Sequence, residues 1–275
     1  MVPSVTVRGD VPPFCTPSCG LGQRGSHTLL SQPGATIDSG DCTSDMRIAT
    51  CFLLLALSGL QAGELFHQSF PGSELPKDWA PGGRPHCWTV QDGVLQGECQ
   101  PADDHGPWIS TPLPMKNGTV EYDAKVDEGG YLLMLIDGDS AYGGQAHLLR
   151  IVLRPGTLHI QQDRGALASK AAQKKARDAA KAAGQPEPKP TPEQLADPSF
   201  YRVDKLATAS QPALKPGAWV KVKLQLTGNE AKVWVNGAEA AHATGAVWDV
   251  AKSKLTFLVG QGKKGWVRDV RAVAE

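Results

Sequence analysis

The chain has 275 residues, 30 of them glycine and 21 proline, with 28 basic and 28 acidic side chains. That length holds one large domain or two modest ones, and the Gly and Pro content suits a fold with many turns. A formal net charge of zero gives no whole-chain attraction to nucleic acid or to an anionic membrane, so either partner would need a local basic patch.

Residues 1–45 are rich in Gly, Pro, Ser and Thr and show no sustained apolar period. Cys15 and Cys19 resemble half of a zinc site, but no partner pair follows at finger spacing, and no metal is expected there. Met46-Arg47 then opens a run of about ten apolar residues that ends in Ser58-Gly59-Leu60-Gln61-Ala62, the pattern of a secretory signal peptide. The run is shorter than the roughly 20 residues a membrane-spanning helix needs, so no stable span is expected after cleavage. A leader over 46–62 makes Met46 the expected true start and residues 1–45 a non-native or disordered extension. An internal core helix or buried strand is the alternative reading of the same apolar run.

Export would place the mature chain in a secreted or periplasmic, oxidising space, which makes Cys87 and Cys99 a candidate disulfide. They flank a hairpin that turns at Asp92-Gly93. A two-residue turn there pairs Gln91 with Val94 and sets Cys87 opposite Glu98, so a bridge to Cys99 requires a bulge or a splayed strand end.

Strand signals then recur. Leu65–Phe70 reads as an edge strand, and Trp108–Ser110 as a short one. Over Gly118–Val126, Val120, Tyr122, Ala124 and Val126 alternate with Thr119, Glu121, Asp123 and Lys125, a strand with one buried face. Tyr131–Ile136 is continuously apolar, as in a strand covered on both faces. Residues 147–153 and 157–161 form a hairpin across Arg154-Pro155-Gly156. Residues 165–198 break the pattern with an Ala/Lys-rich helical stretch and a Pro-rich linker. With no aromatic residues interleaved for base stacking, this is a surface insertion and no nucleic-acid arm. Residues 219–242 then give three meandering strands, turning at Thr227–Glu230 and at Asn236-Gly237. Two more strands, near 254–260 and 266–273, close the domain. About a dozen strands without intervening amphipathic helices predict an all-β, two-sheet antiparallel jelly-roll sandwich over 64–275, interrupted by 165–198.

Four segments carry a resemblance: Trp88–Gly97 (WTVQDGVLQG), Gly118–Val126 (GTVEYDAKV), Lys215–Gly237 with its AKVWVNG end, and Trp266–Val273 (WVRDVRAV). In this order the chain resembles the concanavalin A-like jelly-roll domains of the 3-keto-disaccharide hydrolase family, especially secreted planctomycete-type versions. The Lys-rich insertion departs from that pattern. The resemblance implies a sandwich whose concave face handles a glycan or small saccharide, and it transfers no activity by itself.

Candidate site residues follow from saccharide chemistry. A glycosidase needs two carboxyls about 5 to 9.5 Å apart, and Glu121 and Asp123 share one strand face. Laminarinase-type relatives carry E-x-D-x-x-E on one strand; here Val126 stands in the third position, so a solvated, Lys-paired strand face competes with a catalytic pair. Trp79, Trp108, Trp234, Trp248 and Trp266 are candidate stacking rings, with a core position the competing reading for each. Trp234 is the sharpest, because it lies opposite Val233 and Val235. His105, in a loop beside Asp103 and Asp104, is a candidate ligand-binding residue, as is Arg150, near which His147 and His159 are expected to face each other. Asp137-Gly138-Asp139 is the one candidate calcium loop, and turn chemistry explains it equally well; no other cofactor is expected. Three functions fit these residues: a secreted glycan hydrolase or lyase, a non-catalytic glycan-binding module, and a structural or cell-surface interaction module, each expected to be monomeric.

Overall fold

The computed structural model describes residues 63–82, 84–98, 106–260 and 262–275. The N-terminal extension, the leader-like segment 46–62, Cys99 and His105 lie outside the described residues. The first half of the described chain forms β1 (Gly63–Gln68), β2 (Ala80–Gly82), β3 (Trp88–Gln91), β4 (Val94–Glu98), β5 (Trp108–Met115), β6 (Gly118–Val126) and β7 (Leu132–Asp139). Next come β8 (Gln145–Arg154), β9 (Gly156–Arg164), helices α1 (Leu167–Ala182) and α2 (Pro192–Ala196), and β10 (Arg202–Gln211). The chain ends with β11 (Val220–Thr227), β12 (Glu230–Val235), β13 (Ala238–Thr244), β14 (Lys252–Val259) and β15 (Lys264–Ala274).

The strands form two antiparallel sheets, the predicted sandwich. An eight-stranded sheet runs β13-β12-β11-β6-β15-β4-β3, with β1 paired to β15; a seven-stranded sheet runs β10-β9-β8-β7-β14-β5-β2. Period-two alternation drives both inner faces together. Val120, Tyr122 and Ala124 of β6 meet Leu255, Phe257 and Val259 of β14 in one core, with the Tyr122 and Phe257 rings edge to face at 5.1 Å. Burying each large apolar side chain of this kind contributes roughly 1.5–3 kcal/mol.

Turn chemistry sets the register. Asp92 and Gly93 have φ of 52° and 78°, and Asn236 and Gly237 51° and 83°, the left-handed pairs that a type I′ hairpin requires. Gln91 therefore pairs with Val94 and Trp88 with Gly97. Cys87 is buried in the 3₁₀ turn Pro85–Cys87 that precedes β3; its pairing with Cys99 falls outside the described residues.

Two elements differ from the pattern read in sequence. β5 continues to Met115 through Pro112 and Pro114. Its neighbour β2 reaches only Trp108–Ser110, so the prolines occupy a stretch paired on one side, where a missing N–H is tolerated. β10 carries no apolar face in its sequence, and the structure explains why: it is an edge strand paired only to β9 and largely solvated.

Candidate functional site

The register of the seven-stranded sheet lays its outward side chains in three transverse rows. The first joins Trp108 of β5, Leu258 of β14, Leu133 of β7, Val152 of β8 and His159 of β9. The second joins Ser110, Thr256, Leu135, Arg150 and Gln161, and the third Pro112, Lys254, Asp137 and His147. An apolar row, a mixed row and a charged row thus lie side by side. Leu133, Leu135 and Val152 form a second apolar cluster, distinct from the core, with Tyr131 and Leu258 packed against it. The continuously apolar β7 is therefore buried on both faces, and its outer face floors a groove of about 440 Å³. That is the size range of small-molecule sites.

Two buried aspartates anchor the polar side. Asp137 Oδ1 lies 2.6 Å from His147 Nδ1, and its Oδ2 lies 2.9 Å from Lys254 Nζ. Burial pushes this carboxyl up, but the hydrogen bonds and charges of His147 and Lys254 outweigh it and hold the group below the ordinary carboxylate range. An ionised Asp137 fixes a proton on Nδ1 and leaves the Nε2 lone pair of His147 as an acceptor. The His147 side chain is 34% exposed and lines the groove.

Asp163, one strand further, receives Arg150 in a two-pronged contact, Nε to Oδ1 at 2.5 Å and Nη2 to Oδ2 at 2.8 Å. Tyr201 donates its hydroxyl to Asp163 Oδ2 at 2.6 Å. Burial again raises the carboxyl and the Arg150 and Tyr201 contacts lower it further, so Asp163 also sits below the usual range. Burial and the adjacent carboxylate hold the Tyr201 phenol above its ordinary value, which keeps it a donor. Lys170 of α1 completes the cluster, with Nζ 3.5 Å from Asp163 Oδ2 and 4.7 Å from the Tyr201 ring centre.

The structure brings Trp108 and Arg150 together in this groove. It places Glu121, Asp123 and Trp234 on the outer face of the other sheet, across the core. There Glu121 Oε1 lies 3.3 Å from Lys223 Nζ and Asp123 Oδ2 lies 3.0 Å from Arg268 Nε. Trp234 and Glu121 border a second depression, of about 480 Å³, with Lys221, Lys223 and Gly237. Lys125 sits over both Trp219 and Trp266. Trp79 and Trp248 are core residues, and Trp248 Nε1 donates to the Leu148 carbonyl at 2.8 Å. His147 and His159 do not face each other: His159 pairs with Val152 and contacts Thr208, while His147 pairs with Asp137 in a different row. Asp137 and Asp139 take different partners, His147 with Lys254 and Gln145 respectively. Among the described residues no three His, Cys, Asp or Glu side chains gather as metal donors.

Asp163, Lys170, Tyr201, Lys254 and Thr256 were not legible as site residues in the sequence. Alternation along β9 puts Asp163 on an outward position, but only the register with β8 sets it against Arg150.

The family model described as the 3-keto-alpha-glucoside-1,2-lyase-like domain matches residues 65–271. A search of curated proteins finds no match. Solved structures share the fold at low identity. The LamA protein of Zobellia galactanivorans, in complex with laminaritriose and laminaritetraose, aligns with a TM-score of 0.52 and 10% identity over 78% of this chain and 99% of that one. Porphyranase B of the same organism gives 0.51 and 10% over 77% and 93%. The laminarinase of Rhodothermus marinus gives 0.50 and 13% over 78% and 97%.

Proposed function

The chain belongs to the 3-keto-alpha-glucoside-1,2-lyase-like domain family, and on that premise we propose that the groove of the seven-stranded sheet eliminates the aglycone from a 3-keto glycoside, with His147 as the base. The observation that carries this is the His147–Asp137 pair, set beside an apolar platform and two cationic side chains.

The chemistry a 1,2-elimination demands fits these residues. The C2 proton of a 3-keto sugar is acidified by the neighbouring ketone. His147 Nε2 takes that proton, and the C2–H electrons move toward the C3 carbonyl as an enolate. The cationic ends of Lys254 and Arg150 supply positive potential for the developing oxyanion. The enolate then forms the C1=C2 bond and expels the glycosidic oxygen from C1, which takes the proton back from the His147 imidazolium. No electron donor or acceptor is consumed. Addition of water across the C1=C2 bond gives net hydrolysis, so the lyase and hydrolase readings of the family describe successive steps. Trp108 and Leu258 offer the apolar surface that a pyranose C–H face needs. A general base of this kind contributes about 10²–10⁴-fold. Export by the 46–62 leader, to a space where saccharides are met, belongs to the same reading.

The test is turnover of methyl 3-keto-α-glucoside in D₂O, followed by proton NMR. Release of methanol with loss of the C2 proton signal is expected, and His147→Ala should slow it by at least about a hundredfold. Saccharide binding without turnover overturns the lyase assignment, and full activity in His147→Ala with loss in Glu121→Gln moves the site to the other sheet.

A further inference from the structure

The groove's exposed chemistry is lopsided. The carboxylates of Asp137 and Asp163 are only 5% and 3% exposed, whereas Lys254 and Lys170 are 42% and 38% exposed. Apart from the His147 Nε2 lone pair, a solute entering the groove therefore meets N–H donors, while the carboxylate oxygens lie beneath them, already engaged. A neutral sugar hydroxyl both donates and accepts, and its recognition draws on exposed acceptors. A donor-rich, acceptor-poor site suits a ligand that only accepts, such as a carboxylate or a sulfate.

Charge pairing identifies the surplus group. Lys254 sits on Asp137 at 2.9 Å. Arg150 takes both oxygens of Asp163, and Tyr201 takes one of them again. Lys170 reaches Asp163 only at 3.5 Å, against a carboxylate already satisfied by three shorter hydrogen bonds. It is the groove cation with the weakest neutralisation, and it comes from α1, in the 165–198 segment that joins β9 to β10.

We propose that the insertion adapts this groove to acidic saccharides, with the Lys170 ammonium as the specificity-determining contact for a carboxylate or sulfate substituent on the pyranose. This rests on the groove being the saccharide site, but not on elimination being its reaction. An ion pair formed beside the apolar floor is less screened than one at an open surface, and Tyr201 beneath Lys170 limits the conformations the lysine must give up.

Calorimetric titration of methyl α-glucuronide, methyl α-glucoside 6-sulfate and methyl α-glucoside tests this without any turnover. One or both anionic sugars should bind at least about tenfold tighter than the neutral one, with the preference shrinking as salt rises. The two anionic arms show whether carboxylate or sulfate is the better fit. Lys170→Ala should abolish the preference and Lys170→Glu reverse it, whereas Lys174→Ala, outward on the same helix, should keep it. Equal affinity for all three sugars, or an anionic preference that survives Lys170→Ala, overturns the proposal. Binding of acidic sugars without elimination of their 3-keto forms would leave it standing and defeat the lyase assignment instead.

Discussion

At the scale of single residues, the site depends on side chains whose roles come from what lies behind them. His147 is one of 7 histidines in the chain; a buried aspartate on the neighbouring strand is what sets it apart. Trp108 depends on Gly82, its partner on β2. A Cβ added at Gly82 would fall 1.7 Å from the Trp108 ring, so the indole lies where only glycine leaves room. Gly82→Ala should displace the ring and weaken saccharide binding by about tenfold, while costing about 1–3 kcal/mol of stability. Titration of a saccharide ligand alongside a thermal melt checks both; unchanged affinity would remove Trp108 from the platform. Arg150 and Trp108 were recognisable in the sequence as candidates, because a charged or large aromatic side chain on an outward strand position stands out. Asp163 was not, since its meaning depends on the register between β8 and β9.

At the scale of elements, the insertion is better integrated than its composition suggests. Arg164 and Arg202 pair directly where β9 passes into β10, so the intervening residues leave and return at one point of the ladder. Gly165, with φ of 91°, packs against the Phe200 carbonyl, and Ala166 N–H donates to Ser199 at 2.8 Å. Gln173 donates to the Tyr201 carbonyl at 2.8 Å, and Ser169 accepts from the Tyr201 N–H at 3.0 Å. These contacts bring Lys170 to the groove, although α1 buries only Ala180. Because the ladder closes beneath it, replacing residues 166–199 with an Asn-Gly type turn should leave a cooperative sandwich with a similar melting temperature. The same variant should lose the preference for acidic sugars. Circular dichroism melts and the sugar titrations read the two effects separately; a chain that no longer folds would show that the insertion is structural. The sequence marked where this insertion lies, since an Ala/Lys run followed by prolines is unmistakable. It was silent on docking, which rests on backbone carbonyls and a serine rather than on an apolar face.

At the scale of the whole molecule, two sheets share one core and divide the surface chemistry between them. The outer face of the eight-stranded sheet is a lattice of exposed ion pairs and lysines over tryptophan rings, and exposed pairs of this kind each contribute little. The seven-stranded sheet instead buries two carboxylates, those of Asp137 and Asp163. Asp137 and Asp163 both titrate below the ordinary aspartate value of 3.8. A carboxylate depressed in the folded state lends stability that is fully present above its unfolded value and is lost as pH falls through the folded one. Urea midpoints should therefore hold steady from neutral pH down to about 5 and fall below about 4, and Asp163→Asn should flatten part of that fall. A midpoint that stays level below pH 4 would contradict the buried pairing. By itself, the sequence determined the two-sheet class, the I′ turns and the inward faces, because period-two alternation and turn residues act over a few neighbours. Tertiary structure alone decided which outward side chains share the groove of the seven-stranded sheet. Rows assembled from strands distant in sequence brought Asp137 under His147 and Lys254, and Asp163 under Arg150, Tyr201 and Lys170. A strand's own alternation says which side chains point outward, but only register across five strands says what they meet there.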